Sequence, residues 1–182
     1  MPLKKEFIAI GLPESVGNYL ASLRDPSLAS IRWIPKENYH ITMRFLDEIE
    51  DEQENELRRH LRAATVSPFT LKIGRFGVFP SKDAPKVVWI GLGTGHPLLF
   101  QLRQRIDDAV LRAGIHCEMR DFVPHITLGR CPTGNASEIK ALISRSTTEH
   151  GPIFSVPKFS LFESRRVPQG SRYLEIESFP LN

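Results

Sequence analysis

Two short stretches of this chain carry residue types suited to chemistry: His40-Ile41-Thr42-Met43 and, 85 residues later, His125-Ile126-Thr127-Leu128. Each pairs an imidazole with a hydroxyl at positions i and i+2 and fills the alternate positions with apolar residues. In an extended chain, residues two apart share a face and stand roughly 6.5–7 Å apart at the backbone. His40 and Thr42 are therefore expected to point one way, and Ile41, Met43 and Phe45 the other. His125 and Thr127 are likewise expected opposite Ile126 and Leu128. One H-x-T among six histidines is weak evidence. Its recurrence, with apolar residues at both x positions each time, carries the weight.

Two imidazoles and two hydroxyls suit metal-free attack of water on a phosphodiester. A neutral imidazole takes the proton from water while a protonated one gives a proton to the departing oxygen. Threonine hydroxyls donate to the equatorial phosphoryl oxygens as charge shifts in the transition state. Histidine fills either role near neutral pH.

Other patterns fall short. Gly91-Leu92-Gly93-Thr94-Gly95 misses both the dinucleotide and the Walker spacing, and reads as a tight turn. His116, Cys117, His125 and Cys131 lie close in sequence but form no C-x₂-C or H-x₃-H pair. No metal and no cofactor is expected. A serine elbow is missing, and the two cysteines are expected to be packing residues. His60, His96 and His150 have no companion pattern and are expected at the surface.

The elements that must position the motifs alternate irregularly. A buried strand over Glu6 to Leu12 precedes a helix that starts at Pro13 and runs through Arg24. A short extended piece, Ile31 to Ile34, leads to the first motif strand, Tyr39 to Leu46. Asp47 to Ala64 has the charge order of a helix, acidic first and basic last. One strand with a Gly-rich kink over Ile73-Gly74-Arg75-Phe76-Gly77 is expected over Phe69 to Phe79, and another over Val87 to Leu92. Pro97 opens a helix that Gly114 stops, and the second motif strand follows Pro124. Ser137 to Thr147 is expected to be helical, and Ile153 to Glu163 and Arg172 to Phe179 to be closing strands. This order implies an α+β fold of mainly antiparallel sheet. Strand, helix, motif strand, helix occurs about twice, which implies two pseudosymmetric lobes with outer helices and a cleft between them. Residues 1–182 are expected to form one domain.

Charged residues are 25% and hydrophobic residues 41% of the chain, which excludes a disordered polymer. The net charge of +3 is compatible with an anionic ligand. No secretory leader or membrane span is apparent, so a cytoplasmic monomer without membrane contact is expected.

Beyond the motifs, the whole chain resembles the 2H phosphoesterase superfamily. It is most similar to the RNA 2′,3′-cyclic phosphodiesterases, also called 2′-5′ RNA ligases. The resemblance rests on the opening strand from Phe7 to Pro13, on Arg32-Trp33, and on Asn38-Tyr39-His40-Ile41-Thr42. It continues through Gly77-Val78-Phe79-Pro80, Val88-Trp89-Ile90-Gly91 and Phe122 to Arg130, and ends at Leu161-Phe162-Glu163-Ser164 with Arg172-Tyr173. It implies hydrolysis of a terminal 2′,3′-cyclic phosphate on RNA to a 2′-phosphomonoester, with His40 as proton donor and His125 as proton acceptor. Reverse joining to a 5′-hydroxyl without ATP follows from microscopic reversibility. By alternation Arg44 is expected on the face of His40, and Arg130 on the opposite face unless a bulge at Gly129 re-aims it. Tyr39 and Phe122 flank the motifs as candidates for stacking on a base. Two other readings stay open. One is a phosphodiesterase of small cyclic nucleotides or 2′-5′ oligoadenylate, and the other a nucleotide-binding module without turnover.

Overall fold

Apolar side chains at every position from Phe7 to Ile10 make β1 (Lys4–Gly11) a strand buried on both sides. It sits third in an eight-stranded antiparallel sheet. The computed structural model describes residues 4–80, 85–93, 96–116, 121–132, 136–145, 151–168 and 170–182. After β1 come α1 (Glu14–Ser22), β2 (Arg32–Trp33), a 3₁₀ turn over Lys36–Asn38, β3 (His40–Ile49) and α2 (Asp51–Leu61). Then follow β4 (Phe69–Lys72), β5 (Phe76–Phe79), β6 (Val87–Gly91), α3 (Pro97–Arg112), β7 (His125–Arg130) and α4 (Ala136–Arg145). The chain ends with β8 (Ile153–Val156), β9 (Lys158–Val167) and β10 (Gly170–Pro180). The large sheet runs β10-β9-β1-β3-β7-β6-β5, with β2 added beside β7, while β4 and β8 pair separately. The fold is thus α+β with antiparallel pairing throughout.

Three boundaries differ from the sequence reading. The expected strand over residues 69–79 is two strands in different sheets, because the chain turns at Gly74. There a Cβ would stand 2.6 Å from the Gly93 nitrogen, and the Gly74 N–H donates to the Gly91 carbonyl at 2.8 Å. The expected strand over residues 153–163 breaks at Pro157, which has no N–H for a ladder. β8 then pairs β4, and β9 pairs β1. The first motif strand runs on to Ile49, opposite Lys4, so α2 starts at Asp51 behind a reciprocal cap between Glu50 and Gln53. Of the two cysteines, Cys131 is a buried free thiol and Cys117 lies outside the described residues, as does His150. His96, expected to be a surface residue, caps α3 by accepting from the Leu98 N–H and stacks on Phe69 at 5.2 Å.

The two motif strands meet at one rung, Ile41 opposite Ile126. Both isoleucines are fully buried in the core. In an antiparallel rung, paired residues share a face, and their chain neighbours share the other. His40, Thr42, His125 and Thr127 therefore stand together on the face away from the core.

Each motif strand carries a bulge at the fourth motif residue. Opposite β1, Thr42 pairs Ala9 and Arg44 pairs Ile8, so Met43 is the extra residue. Opposite β6, Thr127 pairs Trp89 and Gly129 pairs Val88, so Leu128 is the extra one. A bulge shifts the phase of everything after it. Arg44 consequently turns into the core with Ile8, where it is only 5% exposed. There Asp107 of α3 accepts from its Nε at 2.7 Å. Phe45 turns out instead, 63% exposed, beside Phe7. The expected faces of this pair are reversed: Arg44 packs against Asp107, still bordering the cavity lined by Thr42 and His125, and Phe45 lies on the open face. Arg103 of α3 holds the same carboxylate and donates to the Met43 carbonyl, fixing the bulge from beneath.

A buried guanidinium that loses its carboxylate costs more than a replaced one. Asp107→Ala should therefore lower stability by about 3 kcal/mol. Arg44→Met, similar in volume and uncharged, should cost clearly less. Urea unfolding of both variants checks this ordering.

Candidate functional site

The site is built from two sequence-equivalent halves. The chain two residues before each histidine supplies a carbonyl that fixes its ring. Asn38 O lies 2.8 Å from His40 Nδ1, and Val123 O lies 2.7 Å from His125 Nδ1. A carbonyl only accepts, so each Nδ1 carries its proton and each neutral Nε2 is left as a base. His40 Nε2 lies 2.9 Å from Thr42 Oγ1, so in the neutral ring the hydroxyl donates to the nitrogen.

Burial lowers the pKa of both imidazoles. For His40 it brings the value to about 4; the Asn38 carbonyl opposes the shift, and the nearby His125 adds to it. For His125 the Val123 carbonyl opposes it. Both rings are therefore neutral at pH 7 in the free protein.

Aromatic walls enclose the two histidines. On the His40 side, Phe7 stacks on Phe162 at 5.3 Å, and Tyr173 stands edge-on to both Phe7 and His40. These residues, with Asn38 and Glu175, line a cavity of about 510 Å³. On the His125 side, Phe79 is edge-on to the ring at 5.0 Å and Trp89 tilts beside it at 5.9 Å. Thr42, Phe45, Phe79, Phe122 and His125 line a second cavity of about 480 Å³. His40 lines the first cavity, and Thr42 and His125 line the second.

The remaining sequence candidates divide. Tyr39 is buried: its hydroxyl accepts from Arg24 Nε at 2.8 Å, and its ring packs under that guanidinium. It also lines the His40 cavity. Phe122 does face the His125 cavity, between Phe100 and the Arg103 guanidinium. Arg130 is re-aimed by the Leu128 bulge. It pairs Val87, which shares a face with Trp89 and Thr127, so it points to the open side. Its charge is felt by Tyr173, whose pKa is raised by burial and held back by Arg130. Sequence reasoning missed Phe7, Phe45, Phe162 and Tyr173 as walls of the site. Their placement depends on the register of β1 with β9, of β9 with β10, and on the bulge. Among the described residues no three His, Cys, Asp or Glu side chains converge to hold a metal ion. No helix among them is long and apolar enough to cross a membrane.

This pairing of two H-x-T strands on one open face defines a phosphoesterase of the two-histidine kind, and comparison with known proteins agrees. The family model described as LigT like Phosphoesterase matches residues 10–89 and 93–173, and the chain belongs to that family. A Bacillus subtilis protein named RNA 2′,3′-cyclic phosphodiesterase is 32% identical over 97% of this chain and 96% of its own length. A Methanocaldococcus jannaschii protein of the same name is 28% identical, over 95% and 98%. The crystal structure of E. coli LigT in apo form superposes with a TM-score of 0.79 at 25% identity, covering 100% of this chain and 99% of that one. LigT complexed with 3′-AMP superposes at 0.77 with 26% identity, over 99% of each.

The depressed His40 pKa has a consequence for stability. Above pH 6.5 the ring is neutral in both folded and unfolded states and contributes no pH dependence. As pH falls from 6.5 toward 4, the unfolded chain takes up a proton that the folded one refuses. Stability should drop by about 1–3 kcal/mol over that interval. Urea unfolding at pH 7.5 and pH 4.5 measures the drop, and His40→Phe should lose part of it.

Proposed function

We propose that this chain is an RNA 2′,3′-cyclic phosphodiesterase that opens a terminal cyclic phosphate to a 2′-phosphomonoester. The observation that carries the reading is the pair of Nε2 atoms, each made a proton carrier by an Nδ1–H held on a carbonyl, on one face with two hydroxyls. The names of the Bacillus subtilis and Methanocaldococcus jannaschii relatives support the substrate.

In this mechanism the cyclic phosphate lies over the Ile41–Ile126 rung. Its negative charge raises the pKa of the imidazole beside it, so one ring becomes imidazolium only when substrate is bound. His125 Nε2 takes a proton from water as the water oxygen bonds to phosphorus. The bond from phosphorus to O3′ breaks on the opposite side, and His40 Nε2–H protonates that oxygen. Thr42 and Thr127 donate to the equatorial oxygens as charge gathers there. His40 ends neutral and His125 protonated, and exchange with solvent restores the pair. With a 5′-hydroxyl in place of water as the nucleophile, the same steps join two RNA ends by a 2′-5′ linkage without ATP.

Hydrolysis of an oligonucleotide ending in a 2′,3′-cyclic phosphate should persist undiminished in EDTA. Activity lost on chelation and restored by Zn²⁺ or Mg²⁺ refutes the acid–base reading. The rate should follow a bell-shaped pH profile whose limbs belong to the coupled pair. His40→Ala and His125→Ala should each abolish most turnover, and the double variant should be little worse than either. Thr42→Ala and Thr127→Ala should each cost about 1–3 kcal/mol of transition-state stabilisation. A histidine variant that folds and retains near-normal turnover sinks the mechanism.

A further inference from the structure

On the core side of the sheet, one residue before the aromatic wall begins, lies an acid that the mechanism does not use. Glu6 is only 2% exposed. It pairs Asp47 on β3 and Glu163 on β9, and the β1–β9 register runs unbroken from Glu6 to Ala9. By alternation Glu6 therefore shares the core face with Ile8, not the open face with Phe7. That places its carboxyl beneath α2, where it meets the carboxyl of Glu54, itself 7% exposed.

The cations around this pair are already engaged elsewhere. Lys4 Nζ donates to Glu54 at 2.9 Å and to Asp51 at 3.1 Å. Arg58 Nε donates to Glu177 at 2.6 Å, and its Nη1 stands 3.6 Å from Glu54. Arg165 donates to Glu163 at 2.8 Å. Among the described residues, neither oxygen of Glu6 has a hydrogen-bond donor. An ionised carboxylate so placed loses its water and gains no partner. A protonated one becomes a donor itself, and the Glu54 carboxylate is the acceptor within its reach.

We propose that Glu6 is a neutral carboxylic acid in the folded protein, that it donates its proton to Glu54, and that this shared proton is a pH-sensitive latch joining β1 to α2. Burial, then the Glu54 charge and the bond to it, push the Glu6 pKa up to about 8. Lys4 opposes that rise, and the charge of Glu163 adds to it. Once the proton is lost, two carboxylates face each other under the helix, and their repulsion loosens α2 from the strand. The next residue of that strand is Phe7, whose ring lies 4.9 Å from that of His40 and walls its cavity. The latch thus bears on the site from the far side of the sheet, whichever ester the histidines cleave.

In the unfolded chain Glu6 gives up its proton near pH 4.5, and in the folded one near pH 8. Its contribution to stability is therefore complete below pH 4.5 and lost as pH rises through about 8. Glu6→Gln keeps the shape, donates to Glu54 through its amide and has no proton to lose. Between about pH 6.5 and 7.5 the unfolding constant of the native protein should gain about tenfold per pH unit over that of Glu6→Gln. Urea unfolding of both proteins reads this difference, and Glu6→Gln should be the more stable at the upper end. An NMR titration of the Glu6 carboxyl carbon in the native protein, assigned through its own backbone amide, needs no variant. That carboxyl should be neutral at pH 7 and titrate near 8. In Glu54→Gln its transition should move to lower pH, because the charge opposing ionisation is gone. Titration near 4.5, an unmoved transition in Glu54→Gln, or a Glu6→Gln protein that follows the native pH slope overturns the latch.

Discussion

Everything at this site depends on one contact between strands, the rung that joins Ile41 to Ile126. Two fully buried isoleucines pin β3 and β7 together at that point. The alternation of a strand then forces the four flanking polar residues onto the opposite face. Slipping one strand past the other by one residue would turn one motif's histidine into the core and its isoleucine into solvent. Burial of the isoleucines and assembly of the four polar side chains on one face are one event.

The bulges at Met43 and Leu128 do the next part of the work. Without them, alternation would place Arg44 on the open face and keep Phe45 in the core. The extra residue reverses that choice, sends Arg44 to the Asp107 carboxylate, and frees the following position in each half for a function of its own. The same device yields a phenyl ring in one half and a guanidinium in the other. The two motif strands thus match in register and differ at the position that follows each bulge.

How legible the site was in the sequence follows from this. The motif faces could be read because two-residue periodicity is local. The fold class could be read because strands, helices and their end signals follow a recognisable order, and the family because the segments from Phe7 to Tyr173 resemble its motifs. The fate of Arg44 and Phe45 could not, since a bulge is set by the partner strand and by Arg103 reaching the Met43 carbonyl from α3. Gly129 carried a hint, because a glycine in a strand often marks such a place. The aromatic wall was equally hidden: Phe162 and Tyr173 reach His40 only through the pairing of β9 with both β1 and β10. Breaks at Gly74 and Pro157 were written in the residues themselves, but either would also suit a kinked continuous strand.

The indole of Trp89 tilts against His125 at 5.9 Å and lies across the face of Gly77, where a Cβ would meet the ring at 2.2 Å. The chain has only one other tryptophan, Trp33, whose Nε1–H donates to the Asp25 carbonyl. An imidazolium beside an indole quenches its emission, whereas a neutral imidazole does so far less. The protein therefore contains an optical gauge of the charge on one histidine. Its fluorescence reports the protonation of that ring, with no label attached.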